Sequence, residues 1–223
     1  MAIPGMEGMT AMDSTQKIEN DESRSARSEK LKQERRKELL GVALAVFAER
    51  GYHQTRISDI IEAAGVARGT FYLYFESKHA IFGALLDDVL GRIRESVVGV
   101  DSSADAAPLR AQIHGILVRL LSLVRESPAL SQLALREAIG LDTEIDAKLD
   151  AFYAELHRWL SESLSNGQRL GFLSAFDAPL VSWCILGSVE RALRLLLERE
   201  GAFQIEAIAD ALLDTHLTGI LPR

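Results

Sequence analysis

The run Ala67–Phe75, ARGTFYLYF, gathers Arg, Thr and Tyr donors beside two Phe rings in a chain that is only 6% aromatic. Thr, Tyr and Phe favour strands by propensity, yet the sequence on both sides is helical. In a helix, Phe71 and Phe75 stand i,i+4 and share one face. That face can bury against Phe47, Ile57 and Ile60, while Arg68, Gly69, Tyr72 and Leu73 face the other way with Thr70 and Tyr74 at the flanks. A strand would place Phe71, Leu73 and Phe75 together against Tyr72 and Tyr74. Only the helix sets the Phe pair apart in a way that fits its neighbours. Gly69 costs such a helix about 1 kcal/mol relative to Ala. Either another surface must approach its backbone closely, or the glycine softens the helix start.

Chemistry that breaks bonds has no comparable support. His53, His79, His114, His157 and His216 show no metal-ligand spacing to one another or to Cys184. No nucleophile elbow, P-loop or dinucleotide fingerprint occurs. Cys184, in SWCILG, reads as a small core residue; a single cysteine excludes an intramolecular disulfide and suits a reducing compartment. No catalytic residue, metal or cofactor is therefore expected, and the chain does not read as an enzyme.

Charge is distributed unevenly. Net charge is −7 overall, but residues 23–79 carry 11 Lys and Arg against 7 Asp and Glu, while residues 80–223 carry 13 against 20. A basic segment on an acidic body is expected where one end meets a polyanion. Residues 1–29, partly basic and nearly free of large apolar residues, read as a disordered tail. They resemble no secretory signal, and the longest uncharged run, Ala178 to Val189, is far short of the ~18 apolar residues a span requires. Cytoplasmic location, with no membrane partner, is the expectation.

The remaining sequence predicts an all-α chain. Leu39, Val42, Ala43, Val46 and Phe47 stripe a helix over 30–50, stopped by Gly51. Thr55 is the expected cap of a short helix through Ile57, Ile60, Ile61 and Ala64, ended by Gly65. Ser77 caps a long helix through Ile81, Leu85, Val89 and Ile93. Later stripes cover Ile113–Val124, broken at Ser127-Pro128, Ile145–Leu164, ended near Asn166-Gly167, and helices over 179–199 and 203–219.

Short helix, glycine turn and short helix make the helix-turn-helix order, whose second helix enters the DNA major groove. Ala43…Phe47…Gly51-Tyr52, Thr55…Ile60…Ala64-Gly65-Val66, Gly69-Thr70, Tyr72…Tyr74-Phe75 and Ser77-Lys78 together resemble the DNA-binding domain of the tetracycline-repressor (TetR/AcrR) family of bacterial transcriptional regulators. The likeness covers roughly residues 35–90. It implies a helix-turn-helix DNA-binding domain over 30–92, with the motif at about 56–75, and a helical effector-binding and dimerisation domain over 93–223. The implied function is a homodimeric repressor on a palindromic double-stranded operator, nucleoid-associated when bound and released by a small effector. A small-molecule-binding helical dimer with a vestigial DNA-binding domain is the alternative.

The resemblance sets Arg68, Gly69, Thr70, Tyr72 and Leu73 toward the groove, with Arg68 suited to a guanine edge and Leu73 to a thymine methyl. Thr55, Tyr72, Tyr74 and Lys78 would meet phosphates. Arg35 and Arg36 are expected close to DNA; Arg24 and Arg27 fit a DNA arm or a solubilising tail equally. Ala67 stands where the family commonly has a Ser cap, and His79 where it often has an acid. The last two helices, with Gly187-Ser188 allowing close approach, are the expected homodimer interface. His114, Arg119, Phe152, Tyr153, Leu156, Trp159, Phe176 and Trp183, with Phe172 and Cys184 beside them, are the candidates for a pocket suited to a hydrophobic or amphipathic effector.

Overall fold

A computed structural model describes residues 8–220 apart from 102 and 104, with side chains described between 24 and 217. Among the described residues there is no strand. The order is α1 (Gly8–Gln54), α2 (Ile57–Ala64), α3 (Arg68–Tyr72), α4 (Lys78–Ser96), α5 (Leu109–Glu126), α6 (Pro128–Gln132), a π-helical turn (Leu133–Glu137), α7 (Thr143–Arg169), α8 (Ala178–Glu198) and α9 (Ile205–Ile220). No helix among them is long and apolar enough to cross a membrane.

Local chemistry sets most of the boundaries. Gly51, at φ +74°, breaks α1 into its long body and a final turn, a backbone state that glycine adopts without a Cβ clash. Gly65 closes α2 in the left-handed region. Ser77 accepts from Ala80 N to cap α4, and Asp142 accepts from Glu144 N and Ile145 N to cap α7.

Three expectations are corrected. The segment read as a disordered tail is helical from Gly8 onward, its first seven residues lying outside the described ones. Its Glu, Lys, Arg and Gln residues propagate readily from a helix already nucleated downstream, although residues 24–38 are all exposed. Thr55 does not cap α2: Arg56 takes the cap position and its N–H donates to Asp59 Oδ2 at 2.7 Å. Gly167 does not end α7, which runs two residues further to Arg169; the returning chain packs on that glycine, where a Cβ would lie 2.8 Å from Leu173 Cδ1. The expected break at Ser127-Pro128 is present, and it is followed at once by α6 and the π turn, closed by Ala138 N donating to Leu133 O at 2.9 Å.

Two apolar cores result. The first joins Leu39, Phe47, Ile60, Phe71 and Phe75 to Phe82 and Leu86 of α4, and continues without interruption into Leu130, Leu133, Ala138, Ile145 and Phe152. The second joins α5, α8 and α9 through Leu121, Val189, Ala192, Leu196, Ala209 and Leu213. α4 runs unbroken through residue 92, where the sequence suggested a division.

Between α8 and α9, Ser188 donates to Ile185 O at 2.8 Å, so its oxygen accepts from His216 Nε2, 2.6 Å away. Burial holds the His216 pKa below its ordinary value. The unfolded chain, titrating near ~6.5, then binds the proton first as pH falls, so folding stability drops below that pH. His216→Gln should remove this contribution, shrinking the loss of thermal midpoint between neutral and mildly acid pH in calorimetry. An unchanged pH dependence would assign that loss to other groups.

Candidate nucleic-acid interface

α3 is short and has no side-chain cap: Ala67 occupies the cap position in extended geometry. Its attachment is apolar. Phe71 is fully buried and Phe75 nearly so, their rings 6.1 Å apart. Phe75 lies beyond the helix proper, but its N–H still donates to Phe71 O at 3.0 Å. Across the chain, the Arg36 guanidinium lies 4.9 Å from the Phe75 ring centre, tying α1 to the end of α3.

The opposite face is open. Arg68 and Gly69 are exposed, Tyr72 is 41% and Leu73 76% exposed, and Thr70 and Tyr74 are half-buried. Arg68 leans over the Tyr72 ring at 5.7 Å, a pairing that presents the guanidinium outward with its donors unspent. A Cβ at Gly69 would meet nothing within 4 Å, and its φ is not positive. Neither internal packing nor backbone conformation therefore requires glycine there. Close approach by an outside surface does account for it.

A groove of about 540 Å³ runs between the start of α2 and this face, lined by Arg56, Ser58, Glu62, Arg68 and Tyr72 among others. Arg56, Ser58 and Glu62 were missed in the sequence reading. They flank the Ile57 and Ile61 positions that line the same groove, and all three are exposed. A second groove, of about 630 Å³, is lined by Leu31, Lys32, Glu34, Arg35, Glu38, Leu73 and Tyr74, between α1 and the end of α3. Arg35 borders it but is paired with Glu38 at 2.6 Å.

Two expected contacts sit elsewhere. Thr55 is 1% exposed, and its hydroxyl donates to Gly51 O at 2.8 Å; it fastens the α1–α2 turn and presents no side chain to a phosphate. Lys78 likewise turns inward. Its Nζ donates to Tyr52 O at 2.7 Å and Thr55 O at 2.9 Å and lies 4.1 Å from the Tyr52 ring centre. Burial lowers its pKa. His79 does not add charge to the α3 surface: Nε2 is 3.1 Å from Asp142 Oδ2, at the start of α7.

Residues 39–85 match the family model described as bacterial regulatory proteins, tetR family. The HTH-type transcriptional repressor DhaR of Mycobacterium sp. (strain GP1) is 35% identical over 166 residues, covering 74% of this chain and 83% of DhaR. The chain belongs to the TetR family. Its relatives are transcriptional regulators, not enzymes. The TetR-type fold also extends over the body. The regulator FadR from Bacillus subtilis, in complex with stearoyl-CoA, superposes with a TM-score of 0.67 at 22% identity, covering 82% of this chain and 97% of FadR. AibR, in complex with isovaleryl coenzyme A and operator DNA, gives a TM-score of 0.63 at 21% identity, covering 81% and 97%.

The expected effector residues come from several elements: Phe152, Tyr153, Leu156 and Trp159 from α7, Trp183 from α8, His114 and Arg119 from α5, and Phe176 from the segment before α8. Phe152 is buried in the first core, with the Arg94 guanidinium 4.9 Å from its ring centre, and Leu156 packs on the same core. His114, on α5, faces Asp210 of α9 at 3.7 Å, and Arg119 is exposed. Trp183 is 49% exposed and stacked on His157 at 4.3 Å. Phe172 and Cys184 are exposed, whereas Trp159 and Phe176 are half-buried. Among the described residues no group of three or more His, Cys, Asp or Glu is placed to hold a metal.

The inward clamp of Lys78 has a measurable consequence. Hydrogen bonds from a charged donor contribute about 1.5–3 kcal/mol each when partly buried, so Lys78→Met should lower unfolding stability by a comparable amount in urea titrations. Arg35→Met, which removes only an exposed ion pair, should cost less than about 1 kcal/mol. Equal, small effects of both would return Lys78 to the solvated surface.

Proposed function

We propose that the protein is a ligand-responsive repressor that binds a two-fold-symmetric operator as a homodimer, each subunit entering the major groove with α3. The observation that carries this reading is the outward Arg68–Leu73 face, held down from behind by buried Phe71 and Phe75. Arg68 reads a base edge, Gly69 and Thr70 allow close approach, Leu73 offers an apolar contact, and Tyr72 and Tyr74 meet phosphates. Arg56 and Ser58 join them from α2, while Arg35 and Arg36 approach the backbone from α1. Residues 30–92 form the DNA-binding unit and 93–223 the effector-binding and dimerisation unit, with the chain acting in the cytoplasm on the nucleoid.

The homodimer is proposed to form through α8 and α9. Leu180, Trp183, Cys184 and Gly187 follow helical spacing and all face outward. Such a stripe on an otherwise well-packed helix suits close approach of a second copy. The effector is proposed to be amphipathic, in keeping with the apolar candidates of the body and with the acyl-CoA molecules seen in complex with FadR and AibR.

Footprinting on DNA beside the protein's own gene tests the main reading. The expected result is a symmetric protected site whose affinity falls steeply with salt, and falls by about 10- to 100-fold in Arg68→Ala, a loss of ~1–3 kcal/mol. Absence of any sequence-specific footprint, or one unmoved by Arg68→Ala combined with Tyr72→Ala, would favour the small-molecule-binding dimer with a vestigial DNA-binding domain. For the dimer, Leu180→Glu with Trp183→Glu should shift the sedimenting species to half the wild-type mass. An unshifted species would move the interface elsewhere.

A further inference from the structure

α1 does not begin where its packing begins. Leu39, Ala43, Val46 and Phe47 bury its later turns in the first core, yet the helix starts at Gly8 and runs without a break as far as Gly51. Residues 24–38 are therefore held out from the body on an axis that those anchors fix, and all of them are exposed. At 1.5 Å per residue the stretch is about 22 Å long, the reach of about six base pairs of DNA. A helix that buries nothing is marginal in water, so internal packing gives no reason for this one.

The direction of the extension brings it beside α3. Ser28, Leu31, Lys32 and Arg35 line the groove of about 630 Å³ that also takes in Leu73 and Tyr74, the end of the face proposed to enter the major groove. Ser28, Leu31 and Arg35 follow helical spacing. Arg24, four residues before Ser28, and Arg27, four before Leu31, prolong the same stripe. Lys30, Gln33 and Lys37 make up a different one.

Charge identifies what this stripe would meet. Residues 24–38 hold seven Lys and Arg against three Glu, whereas residues 8–23 of the same helix hold Lys17 against Asp13, Glu19, Asp21 and Glu22. The basic block is thus confined to the part of α1 leading up to and bordering α3. Among the described residues Arg24, Arg27 and Lys32 have no acidic partner, while Arg35 is held by Glu38 at 2.6 Å. Glu34 also lines the groove, within one helical turn of Lys30 and Lys37, which leaves the outer stripe positive.

We infer that residues 24–35 of α1 form a second DNA contact, a helix laid along the sugar–phosphate backbone that flanks each half-site. Arg24, Arg27 and Lys32 meet phosphates, and Leu31, 58% exposed, lies against deoxyribose. The inference rests on the DNA-binding reading above and extends it: α3 reads bases, and the extension lengthens the bound segment without reading sequence.

Equilibrium binding of the full chain across a salt series tests this on two duplexes of equal length. One carries the site protected beside the protein's own gene; the other is unrelated. Arg24→Ala with Arg27→Ala and Lys32→Ala should weaken binding to both by the same factor, about tenfold or more. The slope of log affinity against log salt should become shallower by about one per side chain and subunit, and the footprint should shorten at both ends. Arg24→Lys with Arg27→Lys keeps the charge and should retain the affinity. Lys30→Ala with Lys37→Ala, on the other stripe, should cost much less. Ser28→Pro breaks the helix while keeping every charge, and should reproduce the part of the loss that belongs to Arg24 and Arg27. An unchanged triple variant would make the extension a solubilising one. Equal losses from both alanine sets would indicate diffuse charge, and an unmoved Ser28→Pro a flexible arm. Each of these outcomes would overturn the inference while a symmetric footprint left the repressor reading intact. A loss on the unrelated duplex in the triple variant, without any specific footprint, would do the reverse, and failure of the wild type to bind either duplex would overturn both.

Discussion

The constraint on which the rest of the structure depends is the continuity of the first core. Phe47 at the end of α1 meets Phe82 of α4 edge-on at 5.6 Å, and Tyr52 meets the same ring at 4.8 Å. Leu130, Leu133 and Ala138 close over this cluster from the body. The helix-turn-helix is thus packed as part of a larger interior, without a core of its own to retreat into. Phe71 and Phe75 draw on that same interior to fasten α3, a helix too short to persist alone. The DNA-facing surface is what remains after those anchors are buried.

Polar groups then fix what the core leaves adjustable. Lys78 closes the α1–α2 turn from the start of α4, and Glu137, at the end of the π turn, accepts from Tyr52 N at 3.4 Å beside left-handed Gly51. Two ion pairs, Arg94–Glu155 and Lys148–Asp87, and the His79–Asp142 contact, spaced along α4 and α7, complete the attachment. In such an arrangement a small displacement in the body has few ways to dissipate before it reaches α3, because packed interiors shift between discrete arrangements.

Local rules made much of this legible in the sequence. The Phe71–Phe75 spacing, the two glycine stops at Gly51 and Gly65 and the Ser77 cap each express a short-range preference, and all appear where that preference puts them. Errors arose where a distant partner decided the outcome. Thr55 has the composition of a cap, yet its hydroxyl is claimed by Gly51 O. Lys78 has the charge of a phosphate contact, yet two carbonyls across the turn capture it. Gly167 looks like a helix stop, but the left-handed turn falls at Gly171 (φ +77°), and Gly167 is instead where Leu173 packs back on α7. The π turn at Leu133–Glu137 has no sequence signature, because its register is set by what Leu133 and Ala138 bury. The effector candidates, polar His114 and Arg119 among them, lie on α5, α7 and α8, and helical periodicity alone does not say which of these helices meet.

Native-state hydrogen exchange, followed residue by residue, tests most directly whether the DNA-binding unit and the body share one core. Amides of α2 and of the buried stretch of α4 around Phe82 should open with the same free energy as those of α7 around Leu149 and Phe152, since breaching the common core exposes both. If α2 and α4 instead opened at a clearly lower free energy while α7 stayed protected, the helix-turn-helix would be an independent unit, and the account of how it is positioned would be wrong.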